Sequence, residues 1–184
     1  MNESHERPTL TTARFILRPF VLADAARVQQ LAGVREVGEM TGHIPYPYPD
    51  GAAEEWIAAQ EMEWQHGEAV TFAITQCDTR ELIGAIGLTI YRENRRAELG
   101  YWLGVPYWNQ GYMTEAARAV IRFGFENLNL NRVYASHFVR NPASGRVMQK
   151  CGMRYEGTLR QHFVRWGQAE DLVYYGILKS EWIS

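Results

Sequence analysis

Ala97-Glu98-Leu99-Gly100-Tyr101-Trp102-Leu103-Gly104, followed after two residues by Tyr107-Trp108-Asn109-Gln110-Gly111-Tyr112-Met113-Thr114, is the stretch on which the fold turns. Its first segment is an apolar run of strand character. Thr114-Glu115 then opens a helix whose apolar positions Ala117, Val120, Ile121 and Phe125 recur at helical spacing. Strand character resumes at Asn131-Arg132-Val133-Tyr134-Ala135-Ser136-His137-Phe138. Strand, helix and strand in that order predict a parallel crossover. Gly111 lies in the connecting turn, where the missing side chain lets successive backbone N–H groups face an anion and the positive end of the helix dipole adds to the attraction. Locally the turn reads either as a pyrophosphate site or as a tight turn alone, because the P-loop pattern and Gly-x-Gly-x-x-Gly are both absent.

Working outward, Val70, Phe72 and Ile74 alternate with Thr71, Ala73 and Thr75, and with Leu82 to Tyr91 and Ala97 to Gly104 they predict three successive antiparallel strands. Ala13 to Pro19 alternates polar and apolar residues as an opening strand, and a helical pattern runs from Asp24 through Ala25, Val28, Leu31 and Ala32. In His43-Ile44-Pro45-Tyr46-Pro47-Tyr48-Pro49-Asp50, each proline disfavours a helical backbone at the residue before it, so an extended, aromatic-bearing loop is expected. A helix from Ala52 to His66 places Ala53, Trp56, Ile57 and Trp64 on one face and stops at Gly67. Downstream, Asn141 as N-cap, Pro142 at the first helical position and Gly152 as left-handed stop delimit a helix from Pro142 to Cys151. Two final strands, near Tyr155 to Trp166 and Glu170 to Leu178, face each other across Gly167-Gln168. No internal repeat interrupts this order.

The 184 residues, 46% of them hydrophobic, suffice for one core, and residues 1–184 are expected to form a single domain. A net charge of −2 without a long Lys/Arg run argues against nucleic-acid binding through phosphates. Met1 to Pro8 lacks the apolar core of a secretory signal, and Leu82 to Tyr91 is too short to span a bilayer, so a soluble cytoplasmic protein is expected. Cys77 and Cys151 signal neither a disulfide framework nor a zinc ribbon, and His5, His43, His66, His137 and His162 lack ligand spacing, so no metal site is expected.

Five linked blocks carry a resemblance: Glu98-Leu99-Gly100-Tyr101-Trp102-Leu103, Tyr107 to Ala116, Leu130-Asn131-Arg132-Val133, Asn141-Pro142-Ala143-Ser144-Gly145-Arg146-Val147, and Gly152-Met153-Arg154-Tyr155-Glu156-Gly157. In order and spacing they resemble the RimJ/RimL branch of the GNAT N-acetyltransferases, and the likeness runs from the first strand to Glu181-Trp182. The resemblance implies an α/β fold of the α+β type. Its mixed, mostly antiparallel sheet has helices on both faces, and its central strands splay to admit the pantetheine arm of acetyl-CoA. It also implies direct attack of an amine on the thioester. Leu103 and Val105 would offer backbone bonds to the acetyl group and pantetheine, Gln110, Gly111, Tyr112, Met113 and Thr114 would cradle the pyrophosphate, and Asn141, Ser144 and Arg146 would line the opposite side. Two departures stand out. Trp108 and Met113 replace the Arg or Gln and the Gly or Ala that bound the superfamily's pyrophosphate pattern, and Met148 replaces a tyrosine that protonates the departing thiolate, which a thioether cannot do.

Ser144, one helical turn before Met148, can donate to the thiolate or can merely satisfy the backbone of the first turn. Glu98 is the leading general base, with a structural ion pair to Arg95, Arg96 or another cation as the other reading. His162 comes second and otherwise reads as a half-exposed sheet residue, and His137 is weaker. Tyr46, Tyr48, Trp56 and Trp64 frame an acceptor entrance, with core packing the other reading of Trp56 and Trp64, and Cys151 reads as a buried packing residue. The expected function is acetyl transfer from acetyl-CoA to a primary amine, chiefly the α-amine of a protein or peptide N-terminus. The alternatives are a small-molecule amine acceptor (polyamine, amino acid or antibiotic) and an acetyl-CoA sensor without catalysis. A homodimer would suit the family.

Overall fold

The structure, a computed structural model, describes residues 6–183. His5 and the rest of Met1 to His5 lie outside the described residues.

Eight strands, β1 (Leu10–Thr11), β2 (Phe15–Arg18), β3 (Ala69–Gln76), β4 (Leu82–Tyr91), β5 (Arg96–Leu103), β6 (Arg132–Phe138), β7 (Arg154–Arg165) and β8 (Gln168–Leu178), form one sheet. Their order is β1-β2-β3-β4-β5-β6-β8-β7. Every pairing is antiparallel except β5 with β6, which is parallel. The parallel pair is bridged by α4 (Tyr112–Glu126), as the strand–helix–strand reading predicts. Helices α1 (Ala25–Ala32), α2 (Arg35–Met40) and α3 (Ala52–His66) lie between β2 and β3, and α5 (Pro142–Lys150) lies between β6 and β7. Among the described residues no helix is long and apolar enough to cross a membrane.

Helices cover both faces, which is why the central strands are apolar on both sides. Phe72, Ala73 and Ile74 are consecutive in β3 and all fully buried. Phe72 and Ile74 join the core under α4, with Met113, Val120, Ile121 and Phe125, while Ala73 joins Phe20, Val28, Ala53 and Ile57 under α1 and α3.

The structure moves some expected boundaries. The opening strand contracts to β2 and pairs with the short β1, and α2 occupies a segment without strong start signals. α4 begins at Tyr112, two residues before Thr114, because Gly111 is itself the N-cap with φ 73°. The last hairpin turns at Trp166-Gly167, both with positive φ (48° and 76°), one residue earlier than expected.

Candidate active site

β5 and β6 pair only at Arg96↔Arg132, Ala97↔Val133 and Glu98↔Tyr134, and then separate. Gly104 N–H donates to Ile83 C=O (2.9 Å) on the β4 side, and Asn131 N–H donates to Arg95 C=O (2.6 Å) on the β6 side. Alternation along an antiparallel pair therefore turns the peptide groups of Leu99, Tyr101 and Leu103 away from β4, towards the gap. Peptide groups inside a sheet need partners. Here they border a cleft of about 1060 Å³. Trp108 takes one of them, its indole N–H donating to Leu103 C=O (2.8 Å).

At one end of the cleft the α4 turn is wound through Asn109 (φ 60°) and Gly111 (φ 73°). The first helical bond runs from Glu115 N–H to Gly111 C=O (3.2 Å), so the amides of Tyr112, Met113 and Thr114 precede it and remain available to an anion. Arg14 braces this turn from outside. Its Nη1 donates to Gln110 C=O (3.3 Å), while its backbone N–H and Nε donate to the Glu115 carboxylate (2.9 and 2.6 Å). Burial raises the pKa of Glu115, but the Thr12 hydroxyl and Arg14 outweigh it and hold it below the usual carboxylate range. The side chain of Met113 is buried, so only its backbone faces the turn's open side. Arg146 and Lys150 of α5 line the same cleft and add positive charge. Such a site suits a phosphorylated ligand whose extended arm carries amides.

Gln110, Gly111, Tyr112, Met113, Thr114, Asn141, Ser144, Arg146 and Leu103 all line this cleft, and Val105 lies outside its lining. Asn141 caps α5, its Oδ1 accepting from Ser144 N–H (3.3 Å). Gly145 lets α5 sit low on β6, since a Cβ there would lie 2.6 Å from His137 Nε2. The Ser144 Oγ is 2.9 Å from the Tyr101 hydroxyl, which also donates to Ser144 C=O (3.2 Å). Met148 is fully buried in the core.

Odd-numbered β5 residues face α4 and α5, with Ala97, Leu99 and Leu103 in that core, whereas Trp102 packs on the opposite cluster. Glu98 therefore projects from the face opposite Tyr101 and Ser144. Of the two readings of Glu98, the ion pair is absent: among the described residues it has no cationic partner. Tyr134 Oη donates to it at 3.4 Å. Burial first, and then the charge of Glu98, push the phenols of Tyr134 and Tyr174 above the ordinary tyrosine range. Glu98 is the single carboxylate among the described residues lining the cleft. His162 lines it too, lifted by the bulge between Leu159 and Phe163 and set edge-on to Tyr174 (centroids 6.2 Å).

His137 is packed, its ring stacked on Tyr175 and Nδ1 2.8 Å from Phe138 C=O. Tyr48 and Trp56 line the cleft, while Tyr46 packs on Trp166 outside the lining and Trp64 packs against the core. Cys151 is buried, with a thiol pKa pushed up to about 11 by burial, which makes it a poor nucleophile.

Tyr101 and the Arg14–Glu115 brace escape a reading of the sequence. Tyr101 falls in phase with Leu99 and Leu103 and so reads as core. The one signal is its hydroxyl, which needs a partner wherever the ring is buried.

A sheet parted beside a bare helix N-terminus gives room for an extended ligand that ends in phosphates. Residues 14–154 match the acetyltransferase (GNAT) domain, and the chain belongs to that family of N-acetyltransferases. It is 33% identical over 173 residues to the uncharacterized N-acetyltransferase YoaA of Bacillus subtilis, covering 94% of this chain and 97% of that protein. Over 106 residues it is 37% identical to the ribosomal-protein-serine acetyltransferase of Escherichia coli, covering 57% of this chain and 58% of that one. The solved structure of RimL, a ribosomal L7/L12 alpha-N-protein acetyltransferase in complex with coenzyme A, superposes with a TM-score of 0.86 at 19% identity, covering 93% of this chain and 98% of that one.

Proposed function

We propose that this enzyme transfers acetyl from acetyl-CoA to the α-amino group of a protein or peptide N-terminus. The observation that carries the reading is the edge of β5 beyond Glu98, which no longer pairs with β6 and on which Trp108 takes only the Leu103 carbonyl, leading to the bare amides of Tyr112, Met113 and Thr114. The edge suits the amides of pantetheine and the helix start suits pyrophosphate, with Arg146 and Lys150 beside them.

On the other face, Glu98 meets the incoming amine. An amine is mostly protonated at neutral pH, and Glu98 holds the ammonium and takes its proton, directly or through water, as nitrogen adds to the thioester carbon. Ser144 donates a hydrogen bond to the sulphur that leaves. Positioning across the parted sheet does most of the work.

Glu98, the single lining carboxylate among the described residues, favours an acceptor with one cationic centre over a polyamine, which presents several ammonium groups. The similarity to a ribosomal-protein-serine acetyltransferase points the same way. The test is an acceptor panel read by release of free coenzyme A. Peptides with a free α-amine should be acetylated, while the same peptides blocked at the N-terminus but carrying a free lysine should be inert. Turnover with polyamines or free amino acids alone would sink the peptide assignment, and binding of acetyl-CoA without turnover on any amine would sink catalysis.

A further inference from the structure

We infer that Tyr101 is a positioning residue for Ser144: its phenol donates to Ser144 Oγ and thereby aims the serine hydrogen at the sulphur that leaves during acetyl transfer. This rests on the acetyl-CoA reading above. Both side chains line the cleft, and they come from its two walls, Tyr101 from β5 and Ser144 from α5. Their hydroxyls are 2.9 Å apart.

The two hydroxyls share two hydrogens. When Tyr101 donates to Ser144 C=O (3.2 Å), Ser144 is left to donate back to the phenol. When Tyr101 donates to Ser144 Oγ instead, the serine hydrogen is released into the cleft. Negative charge on sulphur selects the second arrangement, because pulling on the serine hydrogen makes Oγ a better acceptor for the phenol.

Burial pushes the Tyr101 phenol well above the ordinary tyrosine range, so the ring stays neutral and remains a donor. The proton balance agrees. The ammonium first gives one proton to Glu98, directly or through water, and Glu98 passes it to solvent; as the C–N bond then forms, the C–S bond breaks with its electron pair going to sulphur, and the second proton leaves nitrogen by the same route. Neither hydroxyl loses its own proton, and the pair needs no recharging between turnovers. Buried Met148 has no donor to offer in its place.

The experiment compares Tyr101→Phe, Ser144→Ala and the double variant in the full chain. It reads kcat, KM for acetyl-CoA, and the pKa of the bound coenzyme A thiol from thiolate ultraviolet absorbance. Losing one hydrogen bond to a developing charge should lower kcat about tenfold or more, with KM for acetyl-CoA within about twofold. Each single change should raise the pKa of the bound thiol, and the double variant should be no worse than Ser144→Ala. A Tyr101 that merely packs would cost the same with or without Ser144, and additive losses would overturn the proposal. So would a wild-type thiol pKa in Tyr101→Phe. 3-Fluorotyrosine at 101 keeps the shape and makes a stronger donor, so it should lower the pKa of the bound thiol; an unmoved value again overturns the pairing. Failure of the unaltered protein to bind coenzyme A would overturn the function as well, whereas binding with an unshifted Tyr101→Phe thiol overturns the pairing alone.

Discussion

Gly111 is required by its backbone conformation and not by lack of space. A Cβ there would meet nothing nearer than Arg14 Nη2 at 3.9 Å, yet its φ of 73° is costly for any L side chain and most of all for a β-branched one. Gly111→Val therefore either keeps the turn with about 1–3 kcal/mol of strain or opens it and misaligns the amides of Tyr112 to Thr114. Acetyl-CoA affinity measured by calorimetry should fall about tenfold or more. Unchanged affinity would remove the pyrophosphate cradle. This residue was legible in the sequence because a glycine before a helix is a local signal. Tyr101 was not, because its phase in β5 matches that of two core leucines and its partner is 43 residues away.

At the scale of elements, α5 is the part of the site written most plainly in the chain. Asn141, Pro142 and Gly152 perform at its ends what the sequence predicts, with Gly152 at φ 82°. Asn141 also donates from Nδ2 to Met40 C=O (3.5 Å), tying the start of α5 to the end of α2. Asn141→Ala should cost about 1 kcal/mol, which is a drop of about 2–4 °C in melting temperature for a chain of this size. Asn141→Asp, which keeps the cap, should recover most of it in the same thermal melt. An equal loss in both would mean the tie to Met40 matters more than the cap. Boundaries misread from the sequence share a cause. Trp166 enters a positive-φ turn with no turn-forming side chain, and the six residues of α2 are too few for a clear period.

Across the whole molecule, stability has an acid-sensitive component at the junction of β2 and α1. Arg18 donates to both oxygens of the buried Asp24 (2.7 and 2.8 Å), and Val21 N–H donates to it as well (3.0 Å). Burial raises the Asp24 pKa, but the Arg18 bonds, the Val21 amide and the Arg18 charge outweigh it and the net shift is downward. A carboxylate depressed in the folded state contributes stability above its unfolded pKa, about 4, and loses it as pH falls through the folded value. Denaturant unfolding should thus show stability declining as pH falls below about 4. Asp24→Asn should flatten that decline and cost about 1.5–3 kcal/mol at neutral pH. An equally steep acid decline in Asp24→Asn would place the sensitivity elsewhere.

What the chain determined by itself was whatever its neighbours along the backbone decide. Hydrophobic period identified the three antiparallel strands and the crossover, caps bounded α5, and a lone glycine marked the left-handed turn that opens α4 at Gly111. Tertiary structure alone decided that β5 and β6 part after Glu98, that Glu98 makes no ion pair among the described residues, that Arg14 braces the α4 turn from outside, and that a β5 phenol meets the α5 serine. Those features depend on the separation between elements distant in the chain, and that separation is set by how the two cores pack on either side of the sheet.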